Sequence, residues 1–311
     1  MGKIVTVGLS PTIQKTMTFD SLAIDAVNRS AGYRLDASGK AVNAARVLDQ
    51  LEPGRAVSLC PLGRGNAGLF LSLAERDGLA IARVDAPGMV RYCYTLVEPA
   101  ASRATELVVD EPAVSADWDS LAREVESLAD RLLDGADALL FAGSTPSFWP
   151  EDLPSRIVAL ARKRGIQAMA DFRGIALART LAGPGVDIVK INEGEFLETF
   201  GHEGPVSEDE LAALIAERSE DTGSTIVVTR GSASSLAASG GVSYRCPVDK
   251  IVPLNPIGSG DAFSAGFLFE WLRSRDVSRA LKTGTDCARK NALSLRPGSI
   301  LPPDAPGEGV F

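Results

Sequence analysis

The sequence has few of the residues that build metal centres and disulfide frameworks. It contains one histidine, His202, and four cysteines in 311 residues. The cysteines lie far apart and form no Cys-x-x-Cys pair, which argues against both a zinc site and a disulfide framework. We therefore expect reduced, buried thiols at Cys60, Cys93, Cys246 and Cys287. His202 falls in a polar stretch and is expected to be a surface residue.

An excess of basic charge and long apolar runs are also missing. The chain has 32 Lys and Arg against 40 Asp and Glu, a net charge of −8 and a pI near 4.9. Because phosphate backbones and anionic lipids bind clustered cations, neither nucleic acid nor membrane is an expected partner. No stretch approaches the roughly 18 apolar residues of a membrane span, and the start does not resemble a signal peptide. These features predict a cytoplasmic protein.

The sequence does contain enough apolar residues for a large core. Apolar residues make up 45% and charged residues 23% of the chain, which is ordinary for a globular protein. No internal repeat or low-complexity linker divides it. We therefore predict one α/β domain over residues 1–311.

Strand and helix patterns alternate along most of the chain, which predicts a mostly parallel sheet with helices on both faces. Two β-rich segments, at about 12–35 and 89–110, break this alternation, and we expect them to form a small sheet over the strand ends, a lid. Near the C-terminus the pattern predicts a strand at Lys250–Leu254, a helix at Asp276–Leu295 and a Pro- and Gly-rich tail from Pro297 to Phe311. The other predicted strands of the main sheet are Lys3–Ser10, Ala56–Leu62, Ala138–Ala142, Ile166–Asp171, Asp187–Ile191, Thr225–Thr229, Ser235–Ser239 and Val242–Cys246.

The stretch Asn255–Gly266 carries the strongest chemical signal. Its glycine turn precedes a predicted helix that can run through Leu272. Glycines let the backbone approach a ligand, and the unpaired N–H groups of a helix start favour an anion such as phosphate. A carboxylate beside an anion site is unexpected, so Asp261 either caps the helix or accepts a proton from a nucleophile that attacks the phosphate.

The run Gly258-Ser259-Gly260-Asp261 resembles the C-terminal signature of the ribokinase-like, or PfkB, carbohydrate kinases. This resemblance implies a three-layer α/β/α fold with a β-sheet lid. It also implies that Asp261 is the catalytic base and that Gly258, Ser259 and Gly260 form the anion hole. ATP and Mg²⁺ would be the cofactors.

Two stretches near the N-terminus resemble sugar-binding signatures of the same family. Ser38-Gly39-Lys40-x-x-Asn43 is similar to Gly-Gly-Lys-Gly-x-Asn, although Ser38 and Ala41 replace glycines. A helix start capped by Ser38 is the alternative interpretation. The strand exit Leu9–Gln14 is similar to that of the phosphofructokinase and tagatose-6-phosphate kinase branch. There an Asp binds sugar hydroxyls, but this chain has Gln14, which lacks the charge of a strong acceptor.

Three further residues would complete the sugar site by resemblance. Arg29 and Arg91 fall where the branch places cations for the phosphate that the sugar already carries, and an Arg fork suits phosphate. Each could instead be a solvated surface arginine. Ser144 lies in the turn after Phe141-Ala142, which resembles the turn near the acceptor end of the sugar.

The nucleotide and metal would bind to residues later in the chain. Lys190-Ile191-Asn192-Glu193-Gly194-Glu195 resembles Lys-Pro-Asn-x-x-Glu, whose Asn and Glu hold Mg²⁺ through water. Asn192 and Glu195 also have the spacing of a capping box, and both interpretations can hold together. Lys190 would meet a nucleotide phosphate. By resemblance, Asp171 could orient metal-bound water and Arg173 could reach a phosphate. The nucleotide site would also include Thr229, Gly231, Ala288 and Asn291.

Taken in order, these motifs predict an ATP-dependent sugar kinase acting on a ketohexose phosphate, such as fructose 1-phosphate, fructose 6-phosphate or tagatose 6-phosphate. Asp261 would be the general base. Two alternatives remain open, a kinase of a nonphosphorylated sugar or nucleoside and a weakly active sugar-phosphate-binding protein on the same fold. A homodimer through the lid is plausible because small sheets expose their edges.

Overall fold

The computed structural model describes residues 2–30, 32–110 and 114–302. Within these ranges, strands and helices alternate strictly from Arg103 to Phe200. The strands are β1 Ile4–Val7, β2 Thr12–Thr18, β3 Tyr33–Ser38, β4 Ala56–Gly63, β5 Ile81–Ala86, β6 Arg91–Glu98, β7 Arg103–Val108, β8 Ala138–Ala142, β9 Gln167–Asp171, β10 Ile188–Asn192, β11 Thr225–Thr229, β12 Ser235–Ser239 and β13 Val242–Cys246. The helices are α1 Lys40–Leu51, α2 Ala67–Arg76, α3 Trp118–Leu132, α4 Leu153–Lys163, α5 Gly174–Ala182, α6 Glu193–Phe200, α7 Glu208–Thr222, α8 Ser259–Ser274 and α9 Val277–Ala292.

The large sheet has the strand order β13-β12-β11-β10-β9-β8-β1-β4-β5. Its strands are parallel except β12 and β13, which pair in antiparallel fashion at one edge. Helices cover both faces of this sheet. Successive residues of a strand point to opposite faces, so a strand can contribute to two cores. On β1, Val5 packs into a core with α3, α4 and α7, while Ile4 packs into a second core with α1, α8 and α9. The predicted mostly parallel sheet in a three-layer arrangement is confirmed.

The two β-rich segments that break the alternation pair with each other. They form a separate sheet with the order β3-β2-β6-β7, in which β2 and β6 are parallel and the other pairs are antiparallel. The first segment contains two strands, β2 and β3, and β3 extends beyond the predicted end of the segment to Ser38. Ser38 is therefore the last residue of a strand, and Gly39 is the N-cap of α1, with no side-chain cap. The capping interpretation of Ser38 is wrong.

Two parts of the main sheet differ from the prediction. Strand β5 was not predicted, because only alternate positions of this edge strand are buried and Arg83 and Asp85 point outward. No strand forms at 250–254. There the amide of Leu254 bonds to the carbonyl of Ala292 instead of a neighbouring strand, and so does the amide of Asn255.

The segment after α9 is not a free tail. The helix ends at Ala292, and Pro297, Gly298 and Ser299 are buried against α1. A Cβ added to Gly298 would lie 2.5 Å from the Cβ of Asn43, so the backbone contacts that helix directly. The rest of the predicted tail, residues 303–311, lies outside the described residues. In the described ranges, no helix has the length and apolar character needed to cross a membrane.

Candidate active site

A cavity of about 990 Å³ lies at the carboxyl ends of the parallel strands and is bordered by the small sheet. This is where ligands bind in open α/β sheets. It contains most of the residues that the motifs predicted. The predicted residues that do not line it are Arg29, Asp171, Gly231, Ser259, Ala288 and Asn291. The predicted residues that line it are Gln14, Ser38, Gly39, Lys40, Asn43, Arg91, Ser144, Arg173, Lys190, Asn192, Glu195, Thr229, Gly258, Gly260 and Asp261.

The glycine turn before α8 places Asp261 inside this cavity. Gly258 is the N-cap residue, with φ of 82°, a conformation that favours glycine. Asp261 lies in the first turn but makes no side-chain cap, so the capping interpretation is wrong. Its Oδ2 instead accepts a 2.8 Å hydrogen bond from Nδ2 of Asn43. Two motifs that are 218 residues apart therefore meet at one carboxylate.

The surroundings of Asp261 make its carboxyl more basic than usual. The residue is only 7% exposed. Burial raises the pKa of Asp261 to about 6, and Asp171 adds to the rise, while Lys40, Asn43 and Lys190 oppose it. A carboxylate with a pKa near neutrality can accept a proton at physiological pH and give it up later, which is what a general base requires.

Asp171 is the buried centre of an ion cluster beside Asp261. Its carboxylate lies 3.2 Å from Nζ of Lys40 and 3.1 Å from Nζ of Lys190, and it accepts a 2.6 Å hydrogen bond from Ser264. Although burial opposes the ionised form, Lys190 and Lys40 hold the pKa of Asp171 at about 2. Asp171 in turn raises the pKa of Lys40 well above its ordinary value, against the effect of burial. Arg173 lines the cavity and pairs with Glu198.

Asn192 and Glu195 form a complete capping box at the start of α6. Oδ1 of Asn192 accepts from the amide of Glu195, and Oε2 of Glu195 accepts from the amide of Asn192, both at 2.9 Å. Both side chains also line the cavity. Both side chains offer oxygen atoms, the ligands that Mg²⁺ prefers. Two protein ligands are enough for Mg²⁺, because this ion keeps several of its waters. No cluster of three or more His, Cys, Asp or Glu side chains that could hold a metal occurs among the described residues.

The predicted sugar-site residues Gln14, Ser38 and Gly39 lie on the small sheet or at its junction with α1. Gln14 is 3% exposed, and its Nε2 donates to Oγ1 of Thr95 at 2.7 Å. Oγ of Ser38 donates to Oδ1 of Asn43 at 2.9 Å. A Cβ on Gly39 would lie 3.1 Å from Pro11 and Ser10, so this turn needs glycine on both steric and φ grounds.

The two predicted phosphate cations have different positions. Arg91 lines the cavity from β6, and Glu106 lines it from β7. Partial burial raises the pKa of Glu106, and the positive charge of Arg91 opposes this rise. Arg29 is exposed outside the cavity. Ser144 is exposed at the cavity surface, after Gly143 with φ of 109°.

The predicted nucleotide residues divide into two groups. Lys190 and Thr229 line the cavity, and a Cβ on Gly260 would lie 3.0 Å from Nζ of Lys190. Asn291 is fully buried, and its amide is used within the fold. It donates to the carbonyl of Ile257 and to Oγ of Ser259, and it accepts from the amide of Ser299. Asn291 thus holds the glycine turn in place, while Ala288 packs against the core and Gly231 is exposed.

Sequence reasoning missed Arg46, Thr95 and Ser264. Thr95 and Ser264 give no signal, since a hydroxyl in a strand or helix is common. Arg46 does give one, because it is a charged residue on the apolar face of α1. A buried charge has to be paired, so its position alone indicates a partner inside the fold.

The chain is similar to known sugar kinases over almost its whole length. The family model described as pfkB family carbohydrate kinase matches residues 1–303. A 1-phosphofructokinase from Rhodobacter capsulatus is 33% identical over 291 residues, which cover 91% of this chain and 88% of that protein.

Solved structures agree in fold. Phosphofructokinase-2 from Escherichia coli, solved in complex with fructose-6-phosphate, has a TM-score of 0.84 at 20% identity and 94% coverage of both chains. A putative ribokinase from Agrobacterium tumefaciens has a TM-score of 0.77 at 15% identity, covering 97% of this chain and 95% of that one. These likenesses confirm the predicted ribokinase-like fold. The chain belongs to the pfkB family of carbohydrate kinases, which are phosphotransferases with an alcohol group as acceptor.

Proposed function

We propose that the protein is an ATP-dependent kinase that phosphorylates a hydroxyl of a ketohexose phosphate, of the class of fructose 1-phosphate, fructose 6-phosphate and tagatose 6-phosphate. The observation that carries this proposal is the buried carboxylate of Asp261, which lies at the start of α8 in contact with Asn43 of the sugar motif. The name of the 33% identical relative, 1-phosphofructokinase, favours fructose 1-phosphate within the class.

In the proposed reaction, Asp261 accepts the proton of the sugar hydroxyl. The hydroxyl oxygen forms a bond to the γ-phosphorus of ATP as the bond to the β–γ bridging oxygen breaks and ADP leaves. Positioning and neutralisation of charge provide most of the catalysis in such transfers. The amides of Gly258 and Gly260 at the helix start would stabilise negative charge on the transferring phosphoryl group, and Nζ of Lys190 lies next to Gly260. The amide of Ser259 bonds to the carbonyl of Pro256, so Ser259 contributes no free amide to the predicted anion hole.

The sugar would bind between the small sheet and α1. Asn43 and Lys40 would contact the acceptor side, and Gly39 would let the ring approach the backbone. Arg91 would bind the phosphate that the substrate already carries. The polar side chains of Gln14, Ser38 and Ser144 would contact hydroxyls.

The nucleotide would occupy the other half of the cavity, next to Lys190 and Thr229. Asn192 and Glu195 would hold Mg²⁺ through water, and this ion would neutralise charge on the ATP phosphates. Gly231, Ala288 and Asn291 remain proposed only as neighbours of the adenine end, since they do not line the cavity.

A kinase of a nonphosphorylated sugar is the second candidate. One observation favours it: Arg29 lies outside the cavity, and Arg91 shares its surroundings with the carboxylate of Glu106. A carboxylate beside the cation weakens the attraction for phosphate. A weakly active sugar-phosphate-binding protein would instead bind these ligands with little ADP release.

The test is ADP release with ATP and Mg²⁺ over fructose, the three ketohexose phosphates and a nucleoside. We expect turnover with a ketohexose phosphate. Asp261→Asn should lower kcat by about 10²–10⁴-fold, the usual contribution of a general base, while nucleotide binding stays nearly intact. An unchanged kcat would refute the role of Asp261.

Arg91→Ala separates the two kinase candidates. If Arg91 binds the existing phosphate, this change raises KM for the phosphorylated sugar and leaves KM for free fructose unchanged. Arg83→Ala is a matched control, because Arg83 is a surface arginine on β5, outside the cavity. If Arg91→Ala changed KM equally for the phosphorylated sugar and for free fructose, the result would favour the second candidate.

A homodimer through the small sheet is part of the same proposal. Strand β7 is an edge strand of the small sheet. Leu107 on this strand is 50% exposed, and Val109, just after it, is 55% exposed. Ile24 and Val27, between β2 and β3, are also exposed. Exposed apolar side chains next to an open strand edge favour association of such sheets.

A further inference from the structure

Arg46 is a charged side chain buried inside the fold, on the helix that carries the sugar motif. Its side chain is only 2% exposed. Its guanidinium donates to Oδ1 of Asn43 at 3.1 Å, to the carbonyl of Pro297 at 3.0 Å and to the carbonyl of Ala37. A buried guanidinium is costly unless its donors are satisfied, and these three acceptors satisfy donors of Arg46.

The contact with Asn43 determines which way the amide of Asn43 points. Its Oδ1 accepts from Ser38 at 2.9 Å as well as from Arg46, and its Nδ2 donates to Asp261 at 2.8 Å. A flipped amide would place its N–H group against the guanidinium of Arg46, which can only donate, and its oxygen against the carboxylate of Asp261. The hydroxyl of Ser38 can donate or accept and so does not discriminate between the two orientations. Arg46 therefore makes the flipped orientation unfavourable.

We propose that Arg46 is a positioning residue, which fixes the amide of Asn43 in the orientation that donates to Asp261. It does not touch the cavity, since it is absent from the lining, and it acts through Asn43. The inference rests on the proposed function of Asp261 as the general base. A hydrogen bond to the carboxylate stabilises its charged form and keeps its free oxygen aimed into the cavity.

Arg46 also links Asn43 to three other parts of the fold, namely the residue after α2, the loop after α9 and strand β3. It lies 3.2 Å from Asp77, after α2. Arg296, in the loop after α9, pairs with Asp77 and lies 3.3 Å from Asp36 on β3. Burial lowers the pKa of Arg46 to about 10, and Arg296 adds to this, while Asp77 opposes it. Arg46 is therefore still a cation at neutral pH.

A change at Arg46 is expected to reach Asp261 only through Asn43. The other charged groups that face Asp261 are Lys40 on α1, Asp171 on β9 and Lys190 on β10. Lys40 and Lys190 both pair with Asp171, and neither ion pair involves Arg46. Their effect on the ionisation of Asp261 should persist when Arg46 is replaced.

The first experiment compares Arg46→Met with Asp77→Asn in the full chain. Both changes break the ion pair between Arg46 and Asp77, but only Arg46→Met removes the donor to Asn43. For Arg46→Met we expect kcat to fall about 10-fold and the acidic limb of the kcat–pH profile to move up by about one pH unit, the worth of a hydrogen bond to a charged group. Asp77→Asn should lower stability and leave that limb in place.

Arg46→Lys provides a second variant if Arg46→Met does not fold. It keeps a positive charge for Asp77, but one ammonium group cannot replace the planar fork that reaches Asn43, Ala37 and Pro297 together. The acidic limb should move in the same direction. An acidic limb that stays in place in a folded variant at Arg46 would overturn the inference.

A double-mutant cycle tests whether the effect passes through Asn43. In an Asn43→Ala background, Arg46→Met should change kcat by less than about 2-fold, because the amide that it orients is gone. Additive losses in the double variant would overturn the inference. The role of Asp261 as general base has its own separate criterion, since it fails if Asp261→Asn retains the normal rate.

Discussion

Among single residues, Asp261 shows a conflict between stability and the proposed chemistry. Burial raises its pKa to about 6 from the ordinary 3.8, so the folded protein takes up a proton on Asp261 more readily than the unfolded chain does. Stability from this group is therefore fully present at low pH. It is lost as the pH rises from about 4 to about 6, and it stays lost above that range.

This conflict predicts that Asp261→Asn stabilises the protein while it impairs the proposed reaction. A difference of about two pH units corresponds to on the order of 3 kcal/mol in the free energy of unfolding, and Asn resembles the protonated acid. Urea denaturation at pH 8 should show Asp261→Asn to be more stable than the unaltered protein. The difference should shrink at pH 4.5.

Asp221→Asn is a suitable control for this measurement. Asp221 is exposed on α7 and pairs with Arg218 at 3.0 Å, and exposed pairs contribute about 0–1 kcal/mol. It should show no stabilisation at either pH. Equal stability of Asp261→Asn and the unaltered protein at pH 8 would mean that burial does not disfavour the carboxylate of Asp261.

Among the elements, the start of α8 depends on a loop that is far away in sequence. A Cβ on Gly258 would lie 2.6 Å from the amide nitrogen of Gly298, and a Cβ on Gly298 would meet Asn43. The glycine turn, the loop after α9 and α1 are therefore packed backbone to backbone. This packing fixes the first turn of α8, which contains Asp261.

We predict that Gly258→Ala displaces this turn. The alanine would have both a positive φ and a backbone clash. Gly54→Ala is the matched control, because Gly54 has φ of 73° and no atom within 4 Å of an added Cβ. Gly54→Ala should cost about 1–2 kcal/mol of stability and leave kcat unchanged.

Gly258→Ala should lower stability more than Gly54→Ala does. It should also lower kcat at least about 10-fold, because a displacement of about 1 Å in the reacting groups lowers the reaction rate. Thermal denaturation and initial rates would measure both quantities. If the two variants lost the same stability and kept the same kcat, the close packing around Gly258 would have no role in placing Asp261.

For the whole molecule, the cavity lies where the two sheets meet. Strand β1 of the large sheet continues into β2 of the small sheet. Strand β3 of the small sheet continues into α1, which packs against the large sheet. The two sheets are therefore connected at two points of the chain. Asp36 on β3 also pairs with Arg76 of α2 and lies near Arg296. From these connections we propose that residues 1–311 fold as one domain.

This proposal predicts that a ligand in the cavity stabilises the entire chain. At a fructose 1-phosphate concentration of about 100 times its Kd, linkage gives about 2.7 kcal/mol, or an increase in Tm of about 5 °C. Tryptophan fluorescence and far-UV circular dichroism should report the same single transition. Free fructose at the same concentration is the control and should raise Tm less. Two separate transitions would contradict the proposal of one domain.

The amino-acid sequence by itself determined the kind of fold and the types of residue in the site. Apolar periodicity depends on local geometry, so it predicted the parallel sheet, and the glycine signatures predicted Gly258 and Asp261. Strand β5 was missed, because an edge strand buries only half of its residues and its pattern is weak.

Only the tertiary structure decided which of these residues act together. Asn43 meets Asp261, while the amide of Asn291 holds the glycine turn and Arg29 lies outside the cavity. Arg46 and Asp171 have partners that no local pattern identifies. The physical reason is that pKa values and hydrogen-bond partners depend on burial and on distances across the fold, whereas a sequence pattern specifies only neighbours along the chain.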